Sequence, residues 1–441
     1  MANKEVSNGI KLLTFYGMAI LFLIIGITQC SSFESFKEGY KIILTAPSLI
    51  DFDGLKQAGQ FGSAYINAFI LLSIVMTLYA ITGTEISGGS IAAAMMVTGF
   101  SFYGKNVLNI WPTIIGVLGY TAFKKKPLNT ATGLACFSTA LSPVFSVLAF
   151  GTERLVPGSP TAIIVGVIFG IVAGVLIGIL GGFLPKRHEG FVLYNAGFAA
   201  GLAGTIVNSI LIAIGLGHER IAYAATDYVG GSNAILASFL GITFVYLFVV
   251  GLLLGGGSSF GKLLTHRSKG GDYVKEFGFG AALMNMGVIG ALATIYVFLT
   301  GLGQLAGPVF GCIYTAAGFA TNGVTILTYL PSMIGVYGMC FLTGGVSGVM
   351  AGNEFLASAI AKVSTRPMLL AAIFSCGIAP ISGAFGFGAG ILIGAIHSVL
   401  VPNTGVLHGW MSLYNNGYSL SLLATFLYPI YSWFGGKKAE G

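Results

Sequence analysis

Charged residues are scarce in this sequence. Asp, Glu, Lys and Arg together make up 8% of the 441 residues, whereas a soluble globular protein has about 25%. The hydrophobic fraction is 55% and the mean hydropathy is +0.88. A bilayer core of about 30 Å needs about 20 apolar residues per helical span, and the sequence supplies one such run after another. This composition excludes a soluble domain and predicts an all-α integral membrane protein of the plasma membrane.

Paired cysteines and catalytic motifs are also missing. The five cysteines are an odd number and show no CxxC or Cys/His spacing, so they predict neither a disulfide framework nor a metal site. They are Cys30, Cys136, Cys312, Cys340 and Cys376. No Walker-type loop, HExxH motif or nucleophile-base-acid set occurs in the sequence. Because these motifs carry ATP-driven and hydrolytic chemistry, we predict a protein that is not an enzyme and uses no cofactor.

The chain contains two copies of one design. Residues 193–197, Leu-Tyr-Asn-Ala-Gly, recur 220 residues later at 413–417 as Leu-Tyr-Asn-Asn-Gly. Glycines, prolines and aromatic residues upstream recur at spacings of 218, 219 and 237, so the second copy carries about eighteen extra residues between Tyr337 and Phe374. Glycines, prolines and aromatic residues that recur at matched spacings indicate an internal duplication.

We divide the chain into two repeats of seven apolar segments each, about fourteen in all, of which some are short enough to be half-helices. The first repeat is 1–215, an N-terminal span plus a repeat body at 53–215, and its segments are 10–30, 61–82, 87–104, 106–123, 129–150, 161–184 and 191–215. A connecting loop at 216–232 precedes the second repeat at 233–435, which contains an insertion at 344–363 and is followed by a basic tail at 436–441. The segments of the second repeat are 233–256, 278–300, 304–321, 324–343, 367–386, 388–401 and 409–434.

An odd number of spans per copy predicts that the second copy is inverted in the membrane. Lys124-Lys125-Lys126 and Lys186-Arg187 mark two loops of the first copy as cytoplasmic, and the equivalent stretches near 343–345 and 403–408 contain no Lys or Arg. This is the distribution that the positive-inside rule gives for inverted copies. Both termini are then expected in the cytoplasm. Inverted repeats are typical of secondary transporters, whose sites lie near the midplane between the copies.

Two basic residues do not follow this orientation. Lys362 and Arg366 are placed outside unless the insertion re-enters the membrane. The net charge of +7 is otherwise explained by cytoplasmic loops and does not indicate nucleic acid. The expected partners are the lipid bilayer and a small solute or ion, and a homo-oligomer is left open.

Asparagines repeated in both copies form the main candidate binding site. Each stands near the start of an apolar run, and a carboxamide offers two donors and two acceptors without a charge. Such a group can coordinate a neutral polar solute or an ion; alternatively it caps its helix or joins neighbouring helices. The candidates are Asn67, Asn195, Asn285 and Asn415, with Tyr194 and Tyr414 beside two of them.

A second matched feature predicts a break in the third segment of each copy. Residues 99–106 and 318–323 begin with the same Gly-Phe pair and contain further glycines, so we expect a helix to end there and the chain to turn. Irregular backbone at membrane depth is tolerated where it is buried in protein or lines water, and Asn106 and Asn322 would then face a site. A plain turn between helices is the alternative.

Few ionisable residues are expected at membrane depth, where a charge is costly and indicates function. Glu354 in the insertion is the first candidate, unless the insertion is a surface loop. His397 and Lys105 follow, and a packed histidine without function is the alternative for His397. His188 and His408 match each other but are predicted to lie in loops.

Tandem halves, length and the Leu-Tyr-Asn-x-Gly signature resemble, over essentially the whole chain, an uncharacterised bacterial family of multi-spanning membrane proteins known as a domain of unknown function. This resemblance implies a membrane location and a repeat structure, and it implies no substrate.

A weaker likeness is to urea transporters, whose halves carry Gly-Gln before an Asn-Asn-Pro-x-Ser-Gly motif and a separate Tyr-Gly-x-Asn motif. Gly59-Gln60 precedes Asn67 here, and residues 103–106 fit the second pattern. The Asn-Pro pair is absent, and the second copy carries neither pattern. Seven plus seven spans is also similar to the nucleobase transporters, by span count alone.

Two functions from different classes follow from the sequence. The first is a transporter or channel for a small polar or weakly charged solute, with a path lined by the paired asparagines and the broken third segments. The second is a membrane scaffold without transport. A cavity between the repeats favours transport, whereas a dry seam packed through glycines favours a scaffold. An intramembrane enzyme ranks third because no paired catalytic spacing occurs.

Overall fold

The computed structural model describes residues 6–58, 61–184, 190–220, 231–267, 270–300 and 305–435. Within these ranges all regular secondary structure is helical. Some residues used in the sequence argument lie outside the described part of the chain, namely Gly59-Gln60, Lys186-Arg187, His188 and the basic tail.

The two halves contain the same helices in the same order, with one addition in the second half. The first half contains α1 (Asn8–Thr28), α2 (Phe33–Thr45), α3 (Gly54–Gln57), α4 (Phe61–Thr82), α5 (Gly88–Gly99), α6 (Trp111–Phe123), α7 (Thr132–Ser138), α8 (Ser142–Phe150), α9 (Pro160–Gly181) and α10 (Asn195–Ala213). The second half contains α11 (Gly231–Leu253), α12 (Gly257–Leu264), α13 (Tyr273–Glu276), α14 (Phe279–Thr300), α15 (Gly307–Phe319), α16 (Ile326–Met350), α17 (Phe355–Val363), α18 (Arg366–Phe374), α19 (Ala379–Phe385), α20 (Phe387–Leu400) and α21 (Asn415–Gly435). Without α17, the helices from α1 to α10 pair one to one with those from α11 to α21.

Apolar length supports the predicted membrane location. Nine helical segments of the described residues are long and apolar enough to cross a membrane, if α7 with α8 and α18 with α19 are each taken as one segment. Four of the other five predicted segments coincide with the shorter helices α5, α6, α15 and α20, and the fifth coincides with the 21-residue helix α21. The protein is therefore an all-helical, membrane-type protein built from two related halves. The amphipathic helices α2 and α12 were not predicted.

Helices α5 and α15 cross tightly at the boundary between the halves. A Cβ atom on Gly99 would collide with the Gly311 carbonyl oxygen, and one on Gly311 would collide with the Gly99 carbonyl. Gly318 packs in turn against Ala92 and Met95. Since the end of each helix meets the start of the other, the two run antiparallel. We call Gly99, Gly311 and Gly318 the glycine seam.

Helices α10 and α21 meet at their N-terminal ends. Gly197 and Gly417 are in direct contact, since a Cβ on Gly197 would lie 3.0 Å from the Gly417 Cα. Further along α10, Gly204 packs against His408, which precedes α21 in the chain. Helix α10 therefore passes over the segment that leads into α21.

The fifth segment of each half is interrupted. Short 3₁₀ turns, Thr139–Leu141 and Ser375–Ile378, separate α7 from α8 and α18 from α19. Pro143 and Pro380 stand in the first turn of the helix that follows each interruption. Proline lacks a backbone N–H and disfavours helical geometry in the preceding residue, so it ends one helix and begins the next.

These interruptions bind the opposite half. The Leu193 N–H donates to the Gly377 carbonyl (2.9 Å), and the Leu413 N–H donates to the Ala140 carbonyl (2.9 Å). The Leu-Tyr-Asn segment of each copy is thereby attached to the broken helix of the other copy. The repeats interlock through counterpart bonds at the point where α10 and α21 begin.

Two aspartates also link the halves. Asp53 Oδ1 accepts from the N–H of Gly307 at the start of α15 (3.1 Å), and Asp272 Oδ1 accepts from the N–H of Gly88 at the start of α5 (2.8 Å). Carboxylates at helix N-termini are stabilised by free N–H groups and the helix dipole. The first half therefore caps α15, the third apolar segment of the second half, and the second half caps α5, the third apolar segment of the first.

The predicted insertion is a helical hairpin. Helix α16 extends to Met350, and α17 folds back on it, with Ser358 and Lys362 packed against the glycines Gly348 and Gly344. Glu354 lies at the exposed turn between the two helices.

Candidate functional site

A cavity of about 570 Å³ lies where α10 and α21 begin. We call it the larger cavity. Its walls include both Leu-Tyr-Asn segments, and residues from both halves line it. The residues that matter below are Phe100, Tyr194, Asn195, Asn322, Tyr414 and Asn416.

Six aromatic side chains in its wall form three counterpart pairs, which we call the aromatic cluster: Phe100 and Phe319, Phe137 and Phe374, Tyr194 and Tyr414. The rings of Phe100 and Tyr414 are 4.8 Å apart, and those of their counterparts Phe319 and Tyr194 are 4.6 Å apart. Phe100 stacks with Phe374 at 5.8 Å, as Phe319 does with Phe137 at 6.2 Å. Both copies thus contribute the same apolar surface.

The larger cavity reaches the molecular surface beside the lysines at the end of α6. Asn129 and Thr130, just after Lys126 in sequence, are exposed and line its mouth. Glu85 and Lys275 lie there too, with a carboxylate-to-ammonium distance of 3.5 Å. Both side chains are 59% exposed, so this ion pair contributes little to stability.

A smaller cavity of about 280 Å³ lies behind the first. The two share only three residues among those that line them, Phe374, Leu413 and Asn416, which we call the partition. Six of the other twelve lining residues of the smaller cavity are counterparts of residues in the larger one at the repeat spacings. Five of these counterpart pairs, with the residue of the smaller cavity given first, are Tyr103 and Asn322, Arg366 and Asn129, Leu370 and Gly133, Val401 and Gly181, and Asn415 and Asn195.

Ionic contacts cover the mouth of the smaller cavity. The Arg220 guanidinium donates to both carboxylate oxygens of Asp51, at 2.7 and 3.1 Å, and lies 5.7 Å from the ring centre of Trp410. The hydrogen bond with Asp51 raises the pKa of Arg220. Beside it, the His218 ring bonds the Gly409 carbonyl at 2.8 Å; burial lowers the pKa of His218, and this bond opposes the shift. Asp51, Arg220 and Trp410 thus form one part of the wall of the smaller cavity.

Asn67 and Asn285 lie outside both cavity walls and occupy equivalent positions. Asn67 Nδ2 donates to the carbonyls of Ser101 (3.2 Å) and Lys105 (2.7 Å). Asn285 Nδ2 donates to the counterpart carbonyls of Ala320 (2.8 Å) and Val324 (2.7 Å). Each amide therefore satisfies the carbonyls freed where α5 and α15 end. Their contact with a solute stays a prediction, through Oδ1 atoms that are buried without a hydrogen-bond partner.

The other asparagine pair is divided between the two cavities. Asn195 lines the larger cavity, and its Oδ1 has no partner among the described residues. Asn415 lines the smaller cavity; its Oδ1 accepts from Thr404 Oγ1 (2.8 Å) and bonds His408 Nε2 (3.0 Å), and its Nδ2 donates to the Val401 carbonyl (3.0 Å). Counterpart residues are therefore unsatisfied on one side and fully engaged on the other.

The predicted breaks of the third segments are present, and their asparagines differ. Helix α5 ends at Gly99 and α15 at Phe319, and Gly104 and Gly323 take positive φ angles of 94° and 114°. Asn322 lines the larger cavity. Asn106 is buried in the turn, where its Oδ1 accepts from the N–H groups of Leu108 (2.9 Å) and Asn109 (3.0 Å).

Among the ionisable candidates, Lys105 and His397 each contact residues of a cavity wall, although neither lines a cavity itself. Lys105 is fully buried. Its Nζ lies 2.6 Å from the Tyr414 hydroxyl and 4.4 and 4.9 Å from the ring centres of Tyr414 and Phe100. His397 bonds Asn416 of the partition (3.2 Å) through Nε2, whereas Glu354 lies far along the α16–α17 hairpin and lines neither cavity.

Sequence reasoning named Tyr194 and Tyr414 but missed the four phenylalanines of the aromatic cluster, Asn416, and the Arg220–Asp51 pair. The pairing of Phe100 with Phe319 and of Phe137 with Phe374 at the repeat spacings was a usable signal, because large side chains matched in both copies belong to a shared surface. The Arg220–Asp51 pair has no counterpart in the other half, so the repeat could not reveal it.

Comparison with known proteins identifies the family. Residues 32–213 and 257–433 each match the family model described as "Protein of unknown function (DUF1576)". The first match begins at the cap of α2 and ends with α10, and the second begins with α12 and ends within α21. Each match therefore covers its half from the second helix onward and leaves out the first helix, α1 or α11. No curated protein and no solved structure matches the chain, so the likeness to urea transporters is not supported. The predicted tandem-repeat family is confirmed: the chain belongs to the DUF1576 family of proteins of unknown function.

Proposed function

We propose that the protein is a secondary transporter that carries a small solute across the plasma membrane by alternating access. The observation that carries this proposal is the pair of counterpart cavities. They lie on opposite sides of one partition and differ in size, one being about 570 Å³ and the other about 280 Å³. If the two halves exchange their conformations, the larger cavity becomes the smaller one and the path faces the other side.

An inverted arrangement of the halves is part of the proposal. The antiparallel crossing of α5 with α15 and the head-to-head meeting of α10 with α21 support it. The basic residues at 124–126 support it too, because the equivalent stretch of the second half has none. In this orientation both termini are cytoplasmic, and the larger cavity opens to the cytoplasm. Inverted-repeat transporters place their sites at such a midplane interface.

The exchange between states requires small changes at the two mouths. The Arg220–Asp51 pair must open, and the mouth near Glu85 and Lys275 must close. The Arg220 side chain is 50% exposed, and exposed pairs contribute only about 0–1 kcal/mol. A bias of this size holds one state without trapping it, since minor states a few kcal/mol higher remain populated.

The structure also contains the glycine seam that a scaffold would use. A scaffold without transport, however, has no use for two counterpart cavities divided by a partition. The seam is as well suited to a transporter, in which close helix contact provides a fixed axis about which the halves rearrange. Transport is therefore the function that the geometry supports best.

The test uses two counterpart residues as reporters. Gly133 lies in the wall of the larger cavity and Leu370 in the wall of the smaller one. Gly133→Cys and Leu370→Cys are made with Cys30→Ser, because the other four native cysteines are buried. Membrane-impermeant thiol reagent is applied to vesicles of either orientation. We expect Gly133→Cys to react from the cytoplasmic side and Leu370→Cys to react slowly from the other side.

Arg220→Ala supplies the decisive comparison. Breaking the pair favours opening of the smaller cavity, so Leu370→Cys should react up to about fivefold faster while Gly133→Cys becomes slower. Lys37→Ala, which breaks the exposed Lys37–Glu34 pair on α2, is the control and should change neither rate. Rates that rise together at both positions indicate a channel or a loosened fold and would exclude alternating access.

A further inference from the structure

We infer that the transported solute is a small monoanion with an apolar body, a monocarboxylate being the representative class, and that Lys105 supplies its counter-charge. This inference rests on the proposed transport function and names its substrate class. Three features of the described residues carry it: a buried cation without an acid, two helix starts that converge on the cavity, and an aromatic wall.

Lys105 is a fully buried amine that no described carboxylate accompanies. The ion pairs of the described residues join other side chains. Its Nζ instead contacts a phenol hydroxyl and two ring faces. Ring faces and a hydroxyl stabilise an ammonium partially, but a buried charge normally has a charged partner. An anion that enters the cavity would provide that partner.

The position of Lys105 is fixed next to the larger cavity. The Asn67 amide holds its carbonyl oxygen at 2.7 Å, and the preceding Gly104 has a positive φ of 94° that tightens the turn. Its two ring contacts, Phe100 and Tyr414, both line the larger cavity. The counterpart of Lys105 in the second half is Val324, so the site contains one such amine, which suits one negative charge when it is protonated.

The N-termini of two helices add backbone N–H donors, which favour an anion as an ammonium group does. Helices α10 and α21 both begin beside the cavity. Asn195, the first residue of α10, and Asn416, the second residue of α21, are in its wall. The first N–H groups of a helix have no partner within the helix and favour anions together with the helix dipole. Glu85 is the one carboxylate among the described lining residues, and it lies at the mouth near Lys275. The interior of the cavity is thus positive on balance.

The aromatic cluster indicates the chemistry of the uncharged part of the solute. Six aromatic rings face a space of about 570 Å³, and such a surface binds an apolar group more favourably than a strongly hydrated inorganic ion. A carboxylate attached to a hydrocarbon or aromatic group can place its charge near Lys105 and its body against the rings.

The experiment compares three probes of equal size and different charge. Benzoate, benzamide and benzylammonium are titrated onto the full-length protein in detergent, and binding is measured directly and by the shift of the thermal unfolding midpoint, which a bound ligand raises. We expect benzoate to bind at least tenfold more tightly than benzamide, and benzylammonium to bind most weakly. Lys105→Met should reduce benzoate affinity to the level of benzamide, whose binding reports an intact cavity. Lys105→Arg should retain the preference for benzoate.

Lys124→Met serves as the charge-matched control, because Lys124 is exposed at the end of α6 and lines neither cavity. It should bind all three probes as the unmodified protein does. An unmodified protein that prefers benzamide or benzylammonium, or that binds no benzoate at millimolar concentration, overturns the inference even if no Lys105 variant folds. An equal benzoate preference in Lys105→Met overturns it as well. These outcomes leave the accessibility test of Gly133 and Leu370 untouched, so failure of the anion site and failure of transport are distinguishable.

Discussion

At the scale of single residues, equivalent side chains in the two halves have either the same environment or opposite ones. Asn67 and Asn285 have the same one, since each donates twice to the carbonyls that follow a broken third segment. Asn195 and Asn415 have opposite ones, because one has an unpartnered Oδ1 and the other is fully hydrogen-bonded. The difference follows the cavity that each pair member lines.

This asymmetry predicts different outcomes for the same substitution. Asn415→Ala removes bonds to Thr404, His408 and the Val401 carbonyl. Thr404 Oγ1 and the Val401 carbonyl still bond each other at 3.0 Å, whereas His408 Nε2 loses its partner, and a buried group left unpaired costs about 1–3 kcal/mol. Asn195→Ala removes an Oδ1 that bonds nothing in the described structure. We therefore expect Asn415→Ala to lower the free energy of unfolding by at least about 2 kcal/mol and Asn195→Ala to change it by much less, as measured by denaturant titration in detergent. Equal destabilisation of the two variants would contradict the assignment of an open and a closed side.

At the scale of helices, the third segments form the contact about which the two halves are arranged. Every residue of α15 is buried, and every residue of α5 except Gly89. Backbones approach so closely at the glycine seam that a side chain has no room. Membrane helices associate through this kind of packing because lipid provides no hydrophobic driving force between them.

A single methyl group tests the seam. Gly99→Ala places a Cβ against the Gly311 carbonyl, which is backbone and cannot move aside. Overpacking of this kind costs about 1–3 kcal/mol, so we expect a clear loss of stability in detergent unfolding. Gly119→Ala in α6 is the matched control, since a Cβ there meets nothing within 4 Å and alanine favours a helix by up to about 1 kcal/mol. A Gly99→Ala protein as stable as Gly119→Ala would show that the seam is not tightly packed.

Hydropathy and repeat spacing predicted much of the element scale and less of the site. The segment at 61–82 coincides with α4, and the break after Gly99 is present, because apolar length and paired glycines are local signals. The interruption at Thr139–Leu141 was taken as part of one span, since its hydrogen-bond partner is Leu413 of the other copy. Lys105 ranked below Glu354 for the same reason: its burial depends on Tyr414, which is distant in sequence.

At the scale of the whole molecule, the correspondence between equivalent residues of the two halves accounts for the cavities, the partition and the crossing helices. Equivalent contacts occur twice across the boundary between the halves: Asp53 of the first half caps α15 of the second, and Asp272 of the second half caps α5 of the first. The two cavities are also lined in part by equivalent residues, but they differ in size. A transporter needs this combination, in which a symmetric framework holds two unequal states of one path.

The membrane sidedness of counterpart helix ends tests this account most directly. Helix α6 ends at Lys124-Lys125-Lys126, and its counterpart α16 ends at Met350, which is 84% exposed. With Cys30→Ser as background, Lys126→Cys and Met350→Cys are labelled by an impermeant thiol reagent in intact cells and in inverted vesicles. We predict that Met350→Cys is labelled in intact cells and Lys126→Cys only in inverted vesicles. Labelling of both positions from the same side would place both cavities on one face of the membrane and contradict alternating access between inverted halves.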